Sequence, residues 1–104
     1  MTTRKKSRAV ARLESLAGGP LTLARFLVAI REGEGWSQTE FAEKLGVSRS
    51  HVCDIEKGRK TVSPSRAAKF AKTLGYSEPQ FVQLALQSLV EEAGLRMDVQ
   101  VEAR

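Results

Sequence analysis

Ser37-Gln38-Thr39-Glu40-Phe41-Ala42-Glu43-Lys44-Leu45-Gly46-Val47-Ser48, continued by Arg49-Ser50-His51-Val52-Cys53-Asp54-Ile55-Glu56, is the stretch that decides the architecture. Ser37 and Glu40 stand three apart, the spacing of a capping box in which each side chain satisfies an exposed backbone donor at a helix start. Phe41, Ala42 and Leu45 then recur at helical spacing and predict an inward face, and Gly46 stops the helix. Ser48 caps a second short helix with Val52 and Ile55 inward, ending near Gly58. Three residues separate the two helices: Gly46 permits the tight turn, Val47 plugs the angle, and Ser48 starts the next helix.

Outward from this unit the chain stays helical. Leu23, Phe26, Leu27 and Ile30 follow i, i+3, i+4, i+7 on one face, with Thr22 as N-cap and Gly33 and Gly35 as terminators. Ser63 caps a further helix with Pro64 at its first position and Ala67, Phe70, Ala71 and Leu74 inward, before Gly75. Ser77 and Gln80 form another capping box, opening a helix that runs to about Ala93 and stops at Gly94. Its apolar residues (Phe81, Val82, Leu84, Ala85, Leu86, Leu89, Val90) cover more than one stripe, so a second surface of it should also be buried. A short first helix is expected over residues 8–17, capped by Ser7 and ended by Gly18, Gly19 and Pro20.

With 104 residues, 41% hydrophobic and 28% charged, the chain suits one globular domain with a modest core. The net charge of +5 is unevenly spread. Residues 1–12 carry five bases and no acid, and residues 44–77 carry eight bases against two acids, while the segments between and after are acidic on balance. Positive segments of this kind attract a polyanion. No apolar run approaches the roughly 18 residues of a membrane span, and no apolar signal core follows the basic N-terminus, so a cytoplasmic protein off the membrane is expected. Cys53 is the only cysteine and His51 the only histidine, which leaves neither an internal disulfide nor a usual zinc ligand set. The same two residues make no nucleophile and base, because i and i+2 lie on different faces of a helix. With no glycine-rich phosphate loop or paired-carboxylate motif either, no enzyme, metal or cofactor is expected.

Two short helices joined by Gly46-Val47-Ser48 form the helix-turn-helix plan. The stretch 37–48, together with Ile55-Glu56-Lys57-Gly58, resembles the phage repressor and Cro family of regulators (the Xre type) over about residues 23–75. That resemblance implies an all-α fold, a five-helix repressor-like domain whose helix after Ser48 lies in the major groove of double-stranded DNA. It implies base readout by Arg49, Ser50 and Asp54. An Arg at this place can bond both major-groove acceptors of a guanine, a contact worth about 1–3 kcal/mol of discrimination. It implies that Gln38 grips a phosphate at the start of the preceding helix, with Ser48, His51, Lys57, Arg59 and Lys60 as further backbone contacts that position without reading. It also implies a partly buried salt bridge between Arg31 and Glu56. One departure is the step from Gly58 to Pro64, six positions long and longer than the family suggests, so the resemblance does not place Arg59, Lys60 and Thr61 in detail.

Leu95-Arg96-Met97-Asp98-Val99-Gln100-Val101 alternates strictly and predicts a short C-terminal β-strand with Leu95, Met97, Val99 and Val101 on one face. Nothing else reads as a strand, so this one needs a partner from another chain: a second copy or a different protein. The organisation is then a basic tail with a short helix over 1–20, a DNA-binding domain over 21–76, and a C-terminal helix and strand over 77–104 serving as dimer or partner interface. The expected function is a DNA-binding transcription regulator, a repressor, that binds a two-half-site operator as a homodimer. Two other readings compete. The added tail resembles the antitoxins of toxin–antitoxin pairs, which bind a small toxin and repress their own operon; alternatively, the fold serves as a protein-bridging adaptor that reads no DNA.

Overall fold

A computed structural model describes residues 22–104, so the basic tail and the helix expected over 8–17 lie outside the described residues. Among the described residues the fold is five helices: α1 (Leu23–Glu34), α2 (Gln38–Leu45), α3 (Arg49–Glu56), α4 (Pro64–Leu74) and α5 (Glu78–Glu92). Each starts where a hydroxyl takes up an amide of the first turn, the amides of Arg25, Glu40, His51, Arg66 and Gln80 being bonded by Thr22, Ser37, Ser48, Ser63 and Ser77. Such a cap satisfies one of the helix's orphan donors and is typically worth about 1 kcal/mol. At α2 the box is complete, since Glu40 accepts from the Ser37 amide at 2.9 Å. That amide, with the Ser37 hydroxyl, holds the Glu40 carboxyl below its ordinary value. One stop differs from expectation: α1 runs through Gly33 and ends at Gly35, which takes the left-handed conformation (φ 73°) that glycine adopts without a Cβ penalty.

The inward faces meet in one core. Leu23, Phe26, Leu27 and Ile30 of α1 pack with Phe41 and Ala42 of α2, Val52 and Ile55 of α3, and Ala67, Phe70 and Ala71 of α4. α5 adds Phe81 and Ala85, and the loop before α4 adds Val62. Leu74, expected inside, is only partly buried at the core's edge. Phe26 and Phe81 lie 5.4 Å apart between ring centroids, joining the first and last helices, and Tyr76 closes against both. Contacts of this kind add about 0.5–1.5 kcal/mol beyond area burial. No buried side-chain nitrogen or oxygen among the described residues lacks a partner.

The expected C-terminal strand is not formed. Residues 95–104 carry no strand ladder. The tail instead returns along α5, held by side chains: Gln87 Nε2 donates to the Met97 carbonyl at 2.9 Å, the Val99 amide donates to Gln87 Oε1 at 2.7 Å, and the Val101 amide donates to Gln83 Oε1 at 3.1 Å. A strand needs a second main chain to pair with, and among the described residues the tail lies along α5, whose own backbone groups are already used. Of the four apolar residues expected on one face, Leu95 and Met97 are exposed (47% and 61%), while Val99 and Val101 are half-buried.

Candidate nucleic-acid interface

The turn between α2 and α3 is tight because Gly46 is left-handed (φ 72°) and the Val47 amide donates to the Ala42 carbonyl at 3.0 Å. Val47 packs against the core, as a plug between the helices should. α3 therefore leaves the turn with its register set. Val52 and Ile55 face inward at 2% and 3% exposure, and Arg49 and Ser50 are left exposed at its N-terminal end.

The far end of α3 is tied down by charge. Glu56 accepts from Arg31 Nε at 2.7 Å and Nη2 at 3.2 Å, and from Gln38 Nε2 at 3.0 Å. Arg31 also donates from Nη1 to the Trp36 carbonyl at 3.1 Å. Both partners are largely out of water, with side chains 17% and 7% exposed. The hydrogen bonds to Glu56 raise the Arg31 pKa further above its ordinary value, outweighing the opposing effect of burial. Paired and hydrogen-bonded in this way, buried charges are tolerated, and removing one partner strands the other. This node joins α1, the start of α2 and the end of α3, so α3 is braced at its base. Gln38, expected on a phosphate, directs its amide nitrogen into this node.

The six-position step after Gly58 folds back on α3. The amides of Arg59 and Lys60 both donate to the Asp54 carbonyl, at 2.8 and 3.2 Å, and Val62 anchors the loop's far end in the core. The Asp54 carboxylate sits 3.6 Å from Arg59 Nη1 and 3.8 Å from Lys60 Nζ. These exposed pairs contribute little stability, yet they set two cations beside α3 and engage a carboxylate expected to read bases. Lys57, the C-cap of α3, is exposed next to them.

His51, half-buried on the first turn of α3, has Arg66 Nη1 at 3.3–3.4 Å from its two ring nitrogens. Burial lowers the His51 pKa; Arg66 and Lys60 lower it further, and Asp54 opposes them. Arg66, on the first turn of α4, is a cation of this surface that sequence reasoning missed, because its proximity to His51 spans 15 positions. A second missed contact is Lys44 Nζ, 4.5 Å from the centroid of the Trp36 ring, which itself stacks on Phe41. Cys53 is half-buried on α3, and no group of three or more metal-ligating side chains occurs among the described residues. No described helix is long and apolar enough to cross a membrane.

Along α3 and the segments beside it thus lie Ser48, Arg49 and Ser50 at its N-terminal end, Lys57, Arg59 and Lys60 at its C-terminal end, and His51 with Arg66 across to α4. Residues 27–81 match the helix-turn-helix family. A curated relative, a hypothetical transcription factor of Neisseria meningitidis serogroup B, is 33% identical over 60 residues, covering 58% of this chain and 57% of its own. The chain therefore matches just over half the length of that relative. A crystal structure of a hypothetical transcription factor from Neisseria is similar at a TM-score of 0.52 and 26% identity, over 85% of this chain and 94% of that one.

Proposed function

The chain belongs to the helix-turn-helix family of the phage repressor and Cro type, and from that membership we propose that it is a transcription repressor which reads a two-half-site operator as a homodimer. The observation that carries the DNA-binding part is the exposed N-terminal end of α3. Arg49 and Ser50 stand clear of the core on a helix pinned by Val52 and Ile55 inside and by Glu56 at its base. In this role Arg49 reads a guanine, Ser50 assists, and Lys57, Arg59, Lys60 and Arg66 meet phosphates. Asp54 holds Arg59 and Lys60 in place in the free protein and reads a base only if those pairs open.

The homodimer reading draws on geometry and on surface. Operators of this class are two half-sites about one helical turn apart, which requires two reading helices at fixed spacing. Leu89, Leu95 and Met97, exposed at 43%, 47% and 61%, offer apolar surface for that purpose. The same surface favours a second reading, an antitoxin whose tail also binds a small toxin. Selection of bound duplexes from a random pool, followed by gel shift on the selected site, tests the main reading. A palindromic site bound by two copies is expected. Failure to enrich any duplex would leave a protein-bridging adaptor, and co-purification of a small partner would favour the antitoxin.

A further inference from the structure

Among the described residues, the side chains that hold the tail bond it along one edge. The groups held by Gln83 and Gln87 belong to Met97, Val99 and Val101, every second residue. That is the period of an extended chain, in which successive residues turn their backbone groups to opposite sides. The carboxamide of Gln87, bridging the carbonyl of 97 and the amide of 99, stands where a neighbouring strand's peptide would stand. Gln83 and Gln87 are four apart on one helix face, so they align the tail antiparallel to α5. Arg96, Asp98 and Gln100 turn the other way, and among the described residues their amides and carbonyls make no hydrogen bond.

We infer that this bare edge pairs antiparallel with the same edge of a second copy, in the register that places Met97 on the two-fold axis. The inference rests on the homodimer reading above and narrows it. Because the edge of the odd residues is taken by Gln83 and Gln87, the even residues must form the hydrogen-bonded pairs across the axis. An axis at Asp98 would set like charges face to face, which is destabilising. An axis at Val99 would leave Asp98 opposite Gln100, its charge unmatched, and would draw its charge pair, Arg96 with Glu102, from beyond residues 97–101, the stretch that Gln83 and Gln87 hold extended. An axis at Met97 sets Arg96 opposite Asp98 twice, once on each side of the axis. Leu95 then falls opposite Val99, and Met97 meets its own copy, which covers the two most exposed side chains of the alternating face. This self-complementarity of charge points to a second copy rather than to a different protein, which has no reason to mirror the Arg-x-Asp spacing.

The test uses the full chain with Cys53→Ser, so that no native thiol competes. At the axis the two Met97 residues would form a non-hydrogen-bonded pair with Cα atoms about 4.5 Å apart, within reach of a disulfide. Met97→Cys should therefore cross-link to a covalent dimer under mild oxidation. Val99→Cys should not, since its two copies would lie more than about 10 Å apart along the strands. In low salt, Arg96→Asp or Asp98→Arg alone should raise the dimer dissociation constant about ten-fold, and the double exchange should bring it back to within about three-fold of the parent. Circular dichroism confirms that each variant keeps its helices. A dimer that cross-links at position 99 instead of 97, or that the double exchange leaves as weak as the single ones, overturns the register while the homodimer reading stands. A parent chain that sediments as a monomer at tens of micromolar overturns both and leaves the tail to a different protein.

Discussion

The α2–α3 unit and the α5–tail unit are finished to different degrees. Beneath α3 the polar groups are tied to one another: Glu56 carries three donors, Ser37 and Glu40 cap each other, and the loop amides close on the Asp54 carbonyl. At the other end α5 fully buries only Phe81 and Ala85, though it also carries Val82, Leu84, Leu86, Leu89 and Val90. The tail beside it is bonded on one edge by glutamine side chains. A surface that must hold a fixed shape against DNA is braced from within, whereas apolar area left outside calls for another surface.

Removing residues 95–104 tests that contrast most severely. Helical content should be nearly unchanged, the solution mass should fall towards a monomer, and operator binding should weaken about 100-fold or more once the two half-sites are no longer held together. A truncated chain that stays dimeric by light scattering would move the interface elsewhere.

The braced end should break through stability instead. Glu56→Ala strands the Arg31 guanidinium, and the loss expected in urea unfolding is about 3 kcal/mol. A loss below about 0.5 kcal/mol would mean that water replaces the carboxylate without penalty. Arg49→Ala should leave stability alone and reduce specific binding by about 1–3 kcal/mol, relaxing preference at one base pair per half-site. Equal losses on operator and random duplexes would demote Arg49 to a phosphate contact. Gln38→Ala should weaken binding evenly across sequences and lower stability by about 1 kcal/mol, since it removes one of the bonds on Glu56; a changed base preference would contradict this.

The smallest effect expected is that of pH. His51 takes up its proton at lower pH in the folded chain than in the unfolded one, so its contribution to stability is present above the ordinary histidine value and is lost as pH falls from there through the lower folded value. A phosphate brought beside the ring favours the charged form. Operator affinity should therefore rise by less than about ten-fold between about pH 7.5 and pH 5.5. His51→Gln should flatten that slope, and an unchanged slope would place the ring away from the DNA backbone.

What could be read before any coordinates were known concerns neighbours in the chain. Capping hydroxyls act on an amide three residues on, and the apolar residues of one helix face repeat every three or four, so the starts of all five helices and nearly the whole core were legible. Val62 was not, because a lone valine in a loop has no period to betray it. Gly33 misled for a related reason: either glycine could end α1, and the left-handed turn falls at Gly35, after a further helical residue, Glu34.

The Arg31–Glu56 pair was legible only through likeness to a family, since 25 positions separate its members. Folding alone brought Gln38 into that pair, Arg66 beside His51, and Arg59 with Lys60 onto Asp54. Folding alone also turned an alternating segment into a tail clasped by Gln83 and Gln87. The sequence by itself determined the helices, their order and the inward faces, because short-range hydrogen bonds and side-chain period depend only on spacing along the chain. Tertiary structure decided which polar groups found one another and which edge of the tail stayed bare, because those outcomes depend on distances between elements that no spacing encodes.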